Sequence, residues 1–111
     1  MRAKDGVILL NPHPAILYAL EVVNLYWRHA FGRPPTLTAG RDGVHSEKSL
    51  HYGTPEDTRE RAIDLRTNDL DGTQKAQARA GLIRLLGPLF DVVLEATHMH
   101  IEFDPKVEDL G

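Results

Sequence analysis

Six histidines and no cysteine occur among the 111 residues of this chain. Thiolate sites and disulfides are therefore excluded, and any metal must be held by imidazole or carboxylate. Four of the histidines fall into two groups, His45 with His51 and His98 with His100. Side chains two apart on a strand share a face, so His98-Met99-His100 presents two imidazoles side by side, with Glu102 following on that face. Neutral imidazole is a good zinc ligand. Asp64 stands between apolar neighbours in Ala62-Ile63-Asp64-Leu65. A carboxylate on a buried face needs a partner or a metal. Histidines, a carboxylate and further titratable groups are the material of a catalytic zinc site, in which three protein ligands leave one position for water. Zinc there acidifies water and polarises a carbonyl, and a general base must stand within reach of that water.

The elements that must position these groups follow from punctuation and periodicity. Gly6 to Leu10 reads as a short buried strand or extended arm, closed by Asn11-Pro12-His13-Pro14. Asn11 or His13 can cap a helix that has a proline at its first position. Ala15 to Ala30 then places Ile16, Leu17, Leu20, Val23 and Trp27 on one helical face, with Leu25 off it, and Gly32 and Pro34-Pro35 end the helix. Tyr18, Leu25, Tyr26 and Trp27 give this helix more apolar surface than one core requires. Thr36 to Ala39 reads as a strand. Val44 to Glu60 is polar, contains Gly53 and Pro55, and reads as loop. Arg61 to Arg66 is a short strand with Ile63 and Leu65 on one face. Asp69 to Thr73 is a turn with a cap. Gln74 to Leu86 is a helix with Ala78, Leu82, Leu85 and Leu86 on one face, ended by Gly87-Pro88. Asp91 to Leu94 and His98 to Phe103 read as a terminal strand pair, joined by Glu95-Ala96-Thr97. The order of elements predicts one α+β domain over 1–111, a small antiparallel sheet flanked by two main helices, with a loose acidic tail over 104–111.

Composition narrows the partners. The chain is 41% apolar and 26% charged, with a net charge of −3. It has no basic footprint for nucleic acid or for an anionic membrane. Its longest mostly apolar stretch, Ala15 to Trp27, is interrupted by Glu21 and Asn24 and is too short to span a bilayer. The polar start Met1-Arg2-Ala3-Lys4-Asp5 does not read as a signal peptide.

The motifs occur in an order that resembles a known family. Thr38-Ala39-Gly40-Arg41, then His45-Ser46-Glu47-Lys48-Ser49-Leu50-His51-Tyr52, then Arg61-Ala62-Ile63-Asp64-Leu65, and finally His98-Met99-His100-Ile101-Glu102 are similar to the Hedgehog / D-alanyl-D-alanine peptidase superfamily of zinc peptidases. Ser46 to Tyr52 resembles the Hedgehog signalling domain in particular. The resemblance runs from about Thr36 to Phe103. It implies zinc as cofactor, held by His51, Asp64 and His100. It places Ser49 two residues before the first ligand, Arg41 near a substrate carboxylate, His45 along the zinc cleft, and His98 as a supporting or catalytic histidine. The activity it implies is hydrolysis of peptide bonds in bacterial peptidoglycan, in a stem peptide or a cross-link, by an endopeptidase or carboxypeptidase. Without a signal peptide, such an enzyme is expected in the cytoplasm as made, or at the cell wall by a phage route, as an endolysin released by a holin or as part of a virion.

The pattern departs from the family in two places. The family's usual spacing after the first ligand histidine falls on Thr58, not Asp64. An insertion around Thr54-Pro55-Glu56-Asp57-Thr58-Arg59 accounts for this, since long surface loops cost little. If register is not recovered, Asp57 or Glu56 becomes the ligand. The base also departs. The acidic position common in relatives is Thr97, and Glu95 stands one residue closer to His100 than the Hedgehog glutamate does. Glu95 is the first candidate base and His98 the second. Two rivals stand beside the peptidase: a non-catalytic zinc-containing binding module of the same fold, and a metal-free structural domain.

Overall fold

The computed structural model describes residues 2–3, 11–39 and 59–105. Its elements are β1 (Arg2–Ala3), α1 (Pro14–Phe31), β2 (Thr36–Ala39), β3 (Ala62–Arg66), α2 (Gly72–Leu86), β4 (Phe90–Leu94) and β5 (His98–Phe103). The α+β architecture with two main helices and a small antiparallel sheet follows the expectation. The sheet order is β1-β2-β3-β5-β4. β2, β3, β5 and β4 pair antiparallel, and the short β1 joins the β2 edge in parallel.

Local chemistry sets the helix ends. At α1, the His13 Nδ1 accepts the Ala15 N–H at 3.0 Å, and Pro14 occupies the first turn, where a missing N–H costs nothing. Gly32 closes the helix at φ 70, a left-handed conformation open to glycine, and donates its N–H to Arg28 O. At α2, the Asp71 carboxylate accepts the Gln74 N–H at 2.8 Å, and Gln74 returns the bond to the Asp71 N–H at 3.0 Å.

Both helices cover one face of the sheet. Ile16, Ala19, Val23 and Trp27 of α1 and Ala78, Leu82 and Leu86 of α2 pack with Leu37, Ile63, Leu65, Val92, Met99 and Ile101. Two positions expected inside are outside. Leu17 and Leu85 are about half exposed, while the small Ala19 and Gly81 of the same helices are buried. Small residues there let the helices lie close to their neighbours, and hydrophobic periodicity does not register them. Of the apolar surface on α1, Trp27 is buried, whereas Tyr18 and Leu25 are exposed.

The entry to α1 is fixed to the start of β3. Glu60 is buried, and both its carboxylate oxygens accept the Asn11 N–H at 2.9 Å. Backbone bonds run from Glu60 N to Asn11 O and from His13 N to Glu60 O. A fully buried carboxylate requires such satisfaction. No helix among the described residues is long and apolar enough to cross a membrane.

Candidate metal centre

Strand alternation sends Ile63, Leu65, Met99 and Ile101 into the core, so their neighbours occupy the other face of the sheet. On that face β3 carries Asp64 and Arg66, and β5 carries His98, His100 and Glu102. The register sets Asp64 opposite His100, Arg66 opposite His98, and Ala62 opposite Glu102. On the far side of β5, Val93 faces His100 and Asp91 faces Glu102. Directly opposed side chains in an antiparallel pair are within contact reach.

Two donors converge there. His100 Nδ1 lies 2.8 Å from Asp64 Oδ1. Asp64 is only 8% exposed. The other nitrogen of His100, Nε2, lies 3.4 Å from Glu102 Oε1. The imidazole is thus held between two carboxylates. Its pKa is pushed up from 6.5 to about 9, chiefly by the hydrogen bond with Asp64, then by that with Glu102, while burial opposes the rise.

The second histidine stands beside this pair. His98 Nε2 is 3.9 Å from Asp64 Oδ2 and 3.4 Å from Glu95 Oε2. Its Nδ1 lies 3.4 Å from Thr97 Oγ1. Glu95, at the end of β4, is half exposed, and its backbone N–H donates to His98 O, which closes the hairpin. The β4–β5 hairpin therefore brings Glu95 against His98.

Of the residues singled out in the sequence, Asp64, Glu95, His98 and His100 come together. His51, Arg41, His45 and Ser49 lie outside the described residues, as do Glu56, Asp57 and Thr58. Glu102 was visible in sequence only as the next residue on the His98–His100 face. Its place against Nε2 depends on side-chain direction, which alternation alone does not give. Asp91 carried no signal, because its neighbour is chosen by the β4–β5 register. Among the described residues, Asp91, Glu102 and Asp104 form a group whose carboxylate oxygens approach within 4.8 Å of one another. Acidic groups of this kind are common without an ion.

The donor set fits a zinc ion in chemical type. A buried carboxylate and an imidazole nitrogen converge across two paired strands, and neither donor faces the apolar core. Two convergent donors are fewer than the three of an open zinc site. The third ligand implied by the resemblance, His51, belongs to the undescribed segment. Compared with known proteins, the chain matches no family model, and no curated protein matches it significantly.

Proposed function

We propose that the chain is a zinc metallopeptidase of Hedgehog / D-alanyl-D-alanine peptidase type, acting on peptide bonds of bacterial peptidoglycan. The observation that carries this reading is the opposition of Asp64 and His100 across β3 and β5, with Glu95 and His98 beside them. Asp64, His98 and His100 also lie in motifs that resemble the family's in order, Asp64 after an insertion, whereas Glu95 departs from the family's position. Zinc would be held by Asp64, His100 and His51, and when bound it supplies Lewis acidity toward water and a scissile carbonyl.

The rest of the work belongs to the chain. Glu95 is half exposed and has its Oε2 3.4 Å from His98 Nε2. It takes a proton from water and delivers it to the leaving amine. His98 steadies that carboxylate and offers a donor to the developing oxyanion. Arg41, His45 and Ser49 enter on the resemblance alone, Arg41 as the dock for a substrate carboxylate. A phage route to the cell wall, by holin or virion, belongs to the same proposal.

The test is digestion of purified peptidoglycan by zinc-loaded protein, read as new amines and as fragment masses. Release of amines that stops on chelation, and is lost in Asp64→Asn, supports the peptidase. Zinc binding without amine release would leave the non-catalytic binding module. Absence of zinc from protein equilibrated with it would remove both.

A further inference from the structure

We infer that Glu102 is a positioning residue that dictates which nitrogen of His100 is offered to a metal. The inference rests on the zinc reading above and concerns its one described imidazole ligand. A neutral imidazole has one lone-pair nitrogen and one N–H, and the hydrogen bond at one nitrogen decides the role of the other. Metal-bound histidines usually donate their remaining N–H to a carboxylate or carbonyl, which fixes both tautomer and ring orientation.

His100 has a carboxylate at each nitrogen, so the choice is real. Asp64 Oδ1 is 2.8 Å from Nδ1, and Glu102 Oε1 is 3.4 Å from Nε2. If Glu102 accepts the Nε2–H, the Nδ1 lone pair is left beside the buried Asp64 oxygen, and the two form a mixed nitrogen and oxygen donor pair. If Asp64 held the proton instead, Nε2 would face Glu102 and, through it, Asp91 and Asp104. A site built that way would be nearly all carboxylate, which suits a hard cation rather than zinc.

Burial favours the first arrangement. Asp64 has an 11% exposed side chain against 22% for Glu102. A metal at Asp64 therefore neutralises the less hydrated carboxylate, while Glu102 keeps partial access to water and serves as acceptor. Glu102 sits two residues from His100 on the same face of β5, and it is held there by strand geometry rather than by a loop. The β4 residue opposite Glu102 is Asp91, so its charge can be altered separately without touching His100.

The experiment is a zinc titration against a competing chelator, on wild type, Glu102→Ala, Glu102→Gln and Asp91→Asn. It is paired with NMR chemical shifts of the histidine ring nitrogens in the zinc-bound protein. Loss of an outer carboxylate of this kind weakens metal binding by about 10- to 100-fold. That loss is expected for Glu102→Ala, with partial recovery in Glu102→Gln, whose amide oxygen still accepts, and with Asp91→Asn close to wild type. In wild type, His100 should show metal on Nδ1 and a proton on Nε2. Wild-type affinity in Glu102→Ala overturns the inference, as does metal on Nε2. Equal weakening by Asp91→Asn overturns it too, because the effect is then one of general charge. If wild type binds no zinc, the zinc reading fails first and takes this inference with it.

Discussion

Asp64 and His100 are directly opposed across the β3–β5 pair, and Oδ1 and Nδ1 approach to 2.8 Å. With Asp64 nearly buried, removing it takes from His100 the nearer of its two carboxylates. Losing a hydrogen bond to a charged group costs about 1.5–3 kcal/mol. Asp64→Ala is therefore expected to lower the stability of chelator-treated protein by about that amount, read from urea unfolding. Stability equal to wild type would mean that the pair behaves like an exposed ion pair and contributes nothing net.

The same pair makes the metal-free protein sensitive to alkali. His100 has its pKa raised from 6.5 to about 9 by Asp64 and then Glu102. A base whose folded pKa lies above its unfolded value binds its proton more tightly when folded. Its contribution is then complete below about pH 6.5 and is lost as pH rises through about 9. The unfolding midpoint, measured with chelator present, should fall across that window. In Asp64→Asn the leading cause of the shift is gone, and the fall should shrink. An equal fall in wild type and variant would assign it to other groups.

Much of this architecture is written in local signals, and the site is not. Asp71 and Gln74 form a cap that short-range chemistry specifies, and Gly32 ahead of Pro34-Pro35 marks the end of α1 without reference to the rest of the fold. Leu17 and Leu85 are exposed although hydrophobic periodicity includes them in the apolar faces. The buried Ala19 and Gly81 are too small to stand out in hydrophobic periodicity. The face carried by Asp64 follows from Ile63 and Leu65 pointing inward. Its pairing with His100 does not, because that register joins residues 36 apart in sequence. The resemblance implies both as ligands of one zinc ion. It also named His51, whose placement falls in the undescribed segment.

If the peptidase reading holds, Glu95 and His98 act as a unit. Their side chains approach to 3.4 Å, and His98 in turn reaches toward Asp64 at 3.9 Å. Neighbouring groups that serve one step give strongly non-additive losses. Glu95→Gln should cost at least about 100-fold in turnover, since general base catalysis supplies about 10²–10⁴-fold. Adding His98→Asn should cost little more, while zinc content stays unchanged in Glu95→Gln, His98→Asn and the double variant. Losses that multiply across the double variant would show two independent roles, and loss of zinc in Glu95→Gln would make that glutamate a ligand instead.

The last prediction concerns the contact between the two helices. Gly81 lies mid-helix in α2, where glycine is about 1 kcal/mol worse than alanine. Tyr26 of α1 explains its presence. A Cβ on Gly81 would lie 2.6 Å from Tyr26 Cε2, 2.8 Å from Cζ and 2.9 Å from the hydroxyl oxygen. That hydroxyl donates to Gln77 O at 3.0 Å. In Gly81→Ala the ring must swing aside and give up this bond. Displacing a packed side chain costs about 1–3 kcal/mol, more than the gain in helix propensity returns. A net loss of about 1 kcal/mol is expected from these opposing effects. In a Tyr26→Ala background nothing obstructs the methyl group, and the same Gly81→Ala change should stabilise by up to about 1 kcal/mol. Denaturant unfolding of the four proteins of this cycle checks the reversal of sign. The same sign in both backgrounds would show that Tyr26 does not press on Gly81.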